Sequence, residues 1–136
     1  MTDCLFCKIA AKEFPSTVVY EDDAVIAVMD IKPVNPGHVL VIPKRHSVDL
    51  LDVDPETLAK TSVAVQRVAR AVKQATHAEG INLAQNSGAV AGQVIMHLHF
   101  HVIPRHTGDG RELWHGEAYG SQEEMEAVAE RIKEHL

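Results

Sequence analysis

Apolar positions along this chain switch between two periods. VVYE (18–21) and AVIAVMD (24–30) are β-rich runs separated by Asp22-Asp23, which predicts a hairpin. KPVNPG (32–37) holds two prolines and a glycine and predicts a loop. HVLVIP (38–43) is apolar throughout its middle, as a strand covered on both faces should be. Asp54-Pro55 supplies an N-cap and a first-turn proline. After it, Leu58, Val65, Ala69, Val72 and Ala75 recur near a helical period, so a long helix is expected to about residue 76. INLAQN (81–86) reads as a strand and SGAVAG (87–92) as a glycine-bearing loop. QVIMHLHFHVI (93–103) is the longest β-rich run, ended by Pro104. Residues 106–120 predict irregular chain. Ser121 to Glu124 forms a capping box before a polar C-terminal helix, and residues 4–12 predict a short helix. The pattern implies one α+β domain over 1–136, with a five-stranded antiparallel sheet, one long helix and short terminal helices.

Within the last β-rich run stand three histidines at alternate positions: His97, His99 and His101. On a strand they would share one face at a spacing of about 6.5 to 7 Å. Leu98, Phe100 and Val102 would then face the core, with Met96 on that side too. A merely solvated face would carry Lys, Glu, Thr or Arg. A row of imidazoles points to chemistry, and two kinds can use it. One is a metal held by neighbouring rings, in the extreme a metallohydrolase ligated by all three. The other is nucleophilic catalysis, in which one imidazole attacks phosphorus while its neighbours orient it and move protons.

Composition narrows the partners. The formal net charge is −6, which argues against a nucleic acid, since phosphate-backbone binding needs a clustered basic surface. A small phosphorylated ligand needs only a few local donors, and the PKRH and IPRH segments offer them. No apolar run has membrane-spanning length, and the N-terminus lacks a signal-peptide pattern, so a cytoplasmic protein is expected. The two cysteines, Cys4-x-x-Cys7, leave a metal half-site or a redox pair open.

HLHFHVI resembles the His-φ-His-φ-His-φ-φ motif of the histidine triad (HIT) superfamily of nucleotide hydrolases and transferases. DIKPVNPGHVLVIPKRH (30–46), NSGAVAGQVIMHLHFHVIPRH (86–106) and CLFCKIAAKEFPSTVVYEDD (4–23) are similar to its bacterial Hint-like branch. The resemblance implies a HIT-like fold and a phosphoramidase or related nucleotide hydrolase, with dinucleoside polyphosphate hydrolysis or a nucleotide-binding regulatory module as alternatives. It implies His99 as nucleophile on the α-phosphorus. His101 would contact the phosphate and help protonate the leaving group, and His38 would complete the cluster. It further implies Asp30 at the ribose hydroxyls, and Asn86, Gly92, Gln93 and the N–H of Val94 along the ribose and phosphate path. Ile31, Leu40, Phe6 and Ile9 would form the slot for the base of an AMP- or GMP-type nucleotide. A structural zinc on Cys4, Cys7, His46 and His97 is implied, with no organic cofactor, and so is a homodimer. Val94 stands where Hint-like chains often carry Ser, so the hydroxyl that would touch the phosphate or leaving group is missing. Ala64, Val63 and Ala71 lie beyond the main helical stripe and could face a partner, and the tail near Trp114 and His115 could reach its site. His77 and His135 read as surface residues.

Overall fold

The computed structural model describes residues 3–136. α1 (Leu5–Ala10) precedes the hairpin of β1 (Val18–Glu21) and β2 (Val25–Met29). β3 (Val39–Pro43), α2 (Pro55–Thr76), β4 (Gly80–Ala84), a single 3₁₀ turn (Ala89–Ala91), β5 (Phe100–Arg105) and α3 (Gln122–Lys133) follow. The five strands form one antiparallel sheet in the order β1-β2-β3-β5-β4. Among the described residues no helix is long and apolar enough to cross a membrane.

Strand alternation gives the sheet two covered faces. Val25, Ala27, Val39, Val41 and Val102 pack against Ala64, Val65, Val68 and Val72 of α2. On the opposite face Ile26, Val28 and Ile42 pack against Phe6 and Ile9 of α1. Burying each of those two α1 side chains is worth roughly 1.5 to 3 kcal/mol. β2 and β3 therefore read as continuous apolar runs, as strands covered on both sides should.

α2 starts where its cap predicts: the Asp54 carboxylate accepts the Thr57 N–H at 3.0 Å, and Pro55 opens the first turn. It ends at His77, whose left-handed φ of 55° closes the helix. Its buried stripe runs through Thr61, Ala64, Val65, Val68 and Val72, so Ala64 belongs to the core and not to an outer face. Val63 and Ala71 do face outward.

The last β-rich run is shorter than its sequence predicts. β5 begins only at Phe100, and residues 93–99 follow an irregular path. The reason lies in their hydrogen bonds. The Leu98 N–H donates to the Ser47 carbonyl at 2.8 Å, beyond the end of β3. The buried Gln93 amide donates to the carbonyls of Val48 (2.6 Å) and Ile95 (3.1 Å) and accepts the Gly88 N–H. These bonds draw the segment out of the ladder. One consequence is that Met96 is exposed, not part of the core; Met125, on α3, is exposed as well.

Candidate active site

The site opens on the α1 face of the sheet. In the register of β3 and β5, Leu40 stands opposite His101, so both belong to the face that carries Ile42 and Val28. A cavity of about 520 Å³ lies there. Its wall includes Phe6, Ile9, Asp30, Ile31, Leu40, Asn86, Gly92, Val94, His99 and His101. Leu5, Phe14, Ile95 and Lys32 line it too, and sequence reading missed them. The first three are ordinary apolar residues with no motif to mark them; Lys32, two residues after Asp30, was legible only as a loop cation. Gln93 lies behind the wall, its side chain spent on the loop bonds just described. Gly92 has φ +100°, and a Cβ there would sit 3.2 Å from Asn86 Nδ2, so the loop can approach Asn86 this closely only with glycine.

The protonation of each imidazole follows from its backbone partner. His99 Nδ1 lies 2.7 Å from the His97 carbonyl oxygen, which can only accept. Nδ1 therefore carries the hydrogen, and Nε2 keeps a free lone pair. Phe6 stands edge-on to this ring, with centroids 4.9 Å apart, and fixes its plane. Burial holds His99 below the ordinary histidine range, against the opposing pull of the His97 carbonyl and Asp30, so the ring is neutral near pH 7. That is the form a nucleophile needs.

His38 is buried behind His101. Its Nδ1 accepts the Val34 N–H at 3.0 Å, so in the neutral ring Nε2 carries the hydrogen. Nε2 lies 2.9 Å from His101 Nδ1 and 3.5 Å from Asp30 Oδ2. Burial lowers the pKa of His38 although the Asp30 carboxylate pulls it up. Burial, with His99 and His38 nearby, pushes His101 down to about 4. His101 thus receives a hydrogen at Nδ1 and presents its Nε2–H on the cavity side. Asp30 caps its own loop by accepting the Lys32 N–H at 2.8 Å.

The first histidine of the row belongs to another cluster. His97 is fully buried and donates Nε2–H to the Pro43 carbonyl at 2.8 Å, which leaves Nδ1 as a lone pair. That nitrogen lies 3.3 Å from Cys4 Sγ, 3.5 Å from Cys7 Sγ and 3.2 Å from His46 Nδ1. Cys7 Sγ to His46 Nδ1 is 3.4 Å. A tetrahedral zinc with ordinary Zn–N and Zn–S bonds has donor–donor edges of about 3.3 to 3.8 Å. The four donors match that geometry and that chemistry. Burial and Cys4 push the Cys7 thiol up to about 11, so a divalent cation would supply the charge that makes it a thiolate.

The row is therefore divided. Among the described residues, the groups able to hold a metal are Cys4, Cys7, His46 and His97, and Asp30, His38 and His101; His97, His99 and His101 do not converge on one point. His77, His115 and His135 are exposed.

Comparison with known proteins bears on the same residues. The HIT domain pattern matches residues 11–108. The chain is 41% identical over 116 residues to the adenylylsulfatase HINT3 of Arabidopsis thaliana, covering 85% of this chain and 58% of that protein. A Streptococcus mutans crystal structure superposes with a TM-score of 0.95 at 37% identity, covering 99% of this chain and 86% of that one. A zinc-bound histidine triad family protein of Mycobacterium smegmatis gives 0.78 at 37% identity, covering 99% of both chains. A histidine triad nucleotide-binding protein of Candida albicans gives 0.88 at 31% identity, covering 98% of this chain and 97% of that one.

Proposed function

This chain belongs to the HIT family of nucleotide-binding hydrolases and transferases, and from that premise we propose that it hydrolyses nucleoside 5′-phosphoramidates or related AMP conjugates through a nucleotidyl-His99 intermediate. The observation that carries this reading is the His99 tautomer: a carbonyl holds Nδ1–H, and the lone pair of Nε2 belongs to a ring that lines the cavity. His99 Nε2 attacks the α-phosphorus, and the bond from phosphorus to the leaving group breaks. The leaving group takes the Nε2 proton of His101. Water then attacks the same phosphorus and returns a proton to His101 Nε2, the phosphorus–nitrogen bond to His99 breaks, and the nucleoside monophosphate departs. Asp30 would take the ribose hydroxyls. Phe6, Ile9, Ile31 and Leu40 offer the base an apolar slot, with Asn86, Gly92 and the Val94 N–H along the phosphate path. The relative that is an adenylylsulfatase makes a sulfate–phosphate anhydride a second substrate to try.

Cys4, Cys7, His46 and His97 are proposed to hold one structural zinc per chain, a closed set with no position left for substrate. The metal would fix α1, which supplies Phe6 and Ile9 to the cavity. The chain is further proposed to act as a homodimer.

Brief mixing with adenosine 5′-phosphoramidate, acid-free quenching and mass spectrometry tests the mechanism. An AMP-mass adduct on the peptide carrying His99 is expected, and His99→Ala should bind AMP yet form no adduct and release no product. Turnover without any histidine adduct would overturn the covalent route. AMP binding with no turnover of amidate, ester or anhydride would make the protein a nucleotide-binding module instead.

A further inference from the structure

The hydrogen bonds around His38 continue past the imidazole into a part of the fold outside the cavity. Because the Val34 N–H is given to Nδ1, the one hydrogen of the neutral ring sits on Nε2 and faces His101 Nδ1. His101 must then keep its own hydrogen on Nε2. One backbone amide therefore orders two protons. With that amide turned away, the reverse order would be open: His101 would donate to His38 and present a bare lone pair to the substrate. Such a ring could not protonate a leaving group.

The neighbouring residue holds the Val34 amide in place. Asn35 is buried, with 7% exposure. Its carbonyl accepts the His38 N–H at 3.1 Å and closes the turn. Its side-chain NH₂ donates to the Pro104 carbonyl at 2.8 Å and to Asp109 Oδ2 at 3.1 Å. Both partners are acceptors, so the amide fits in only one orientation. Asp109 is itself clamped: Arg105 donates to it through Nε and a terminal nitrogen, at 2.8 and 2.9 Å, and the backbone N–H groups of His106 and Arg111 add two more bonds. Gly37 seats the same turn against α2; it has φ +100°, and a Cβ there would lie 2.5 Å from Thr76 Cγ2.

We propose that Asn35, fixed by Asp109 and the Pro104 carbonyl, is the positioning residue that sets the proton order of the His38–His101 pair. It does not line the cavity, and it acts through the Val34 amide. Its effect on rate rests on the hydrolase reading; the proton order does not.

Two-bond ¹H–¹⁵N spectra of the intact, metal-loaded protein at neutral pH report the tautomers directly. Wild type should show His38 and His101 both as Nε2–H. In Asn35→Ala that order should break down into mixed tautomers. The kcat for adenosine 5′-phosphoramidate should fall roughly ten- to a hundredfold, the scale of a misdirected acid, with KM little changed. In a His101→Gln background Asn35→Ala should cost nothing further, whereas general structural damage would cost as much in both backgrounds. A wild-type His38 protonated at Nδ1 overturns the proposal even if no variant folds. So do unchanged tautomers in Asn35→Ala, or equal losses in the two backgrounds. Should wild type leave the amidate intact, the hydrolase reading fails while the spectra still decide the role of Asn35.

Discussion

At the scale of single residues, backbone groups set the protonation of four histidines, directly or through one neighbour: Nδ1–H on His99, and Nε2–H on His97, His38 and His101. Carbonyls of His97 and Pro43 fix His99 and His97, and the Val34 amide fixes His38 and through it His101. Sequence could point to these residues because imidazoles at a period of two are chemically unusual. It could not show the tautomers: those of His97 and His38 depend on β3 and the loop before it, and that of His99 on the bend that brings the His97 carbonyl to its ring. The buried neutral state has a cost in acid. His101 is held down to about 4 in the folded chain against an ordinary value of 6.5. Between those values the unfolded chain binds a proton that the folded chain refuses, so stability falls as pH falls through that window. Denaturant midpoints measured from pH 6.5 down to about 4 should therefore drop more steeply in wild type than in His101→Gln, whose amide cannot take up the proton. Parallel slopes would mean that His101 is not the proton-refusing group.

At the scale of elements, the pattern located α2, its cap, the hairpin and β3 because each carries a local signal: an Asp-Pro start, a turn between apolar runs, an unbroken apolar stretch. It overextended β5 because the decisive bonds that bend residues 93–99 are long-range, to the carbonyls of Ser47 and Val48. The bend has a function in the layout. A straight strand would have placed three rings in one row; the turn sends His97 to the cysteines and leaves His99 with the cavity. Element packing also shows what the proposed metal would hold in place. α1 has six residues, far too few to persist alone, and it is held to the rest by Phe6 and Ile9, the partly buried Leu5 and Ala10, and the cysteine–histidine cluster. Metal analysis should give about one zinc per chain, as one tetrahedral site requires. Chelation, or Cys4→Ser with Cys7→Ser, should lower the melting temperature by several degrees and weaken AMP binding, because Phe6 and Ile9 leave the cavity with α1. A metal-free protein of unchanged melting temperature and AMP affinity would remove the zinc from this account.

At the scale of the whole molecule, the proposed homodimer has a surface on which it could form. β4 is a sheet edge with an open row of backbone groups, and it carries Leu83 at 53% exposure. Beside it α2 presents Val63 at 67%, and a cleft between the two is lined by Val65, Ala69, Ile81 and Leu83 together with Ser62, Gln66, Arg70 and Lys73. An uncovered edge flanked by apolar side chains invites another strand. A two-fold axis beside β4 would pair that edge with its own copy, extend the sheet to twice five strands and bury both helices' outer faces. Light scattering behind size exclusion should then give twice the 14.9 kDa chain mass at micromolar concentration. Leu83→Arg places two more cations at the centre of that junction, beside Arg70 and Lys73, where buried like charge is strongly unfavourable. It should shift the mass toward one chain while leaving His99, on the other side of the fold, able to form its adduct. Wild type running at the single-chain mass would show that the edge is covered by something other than a second copy.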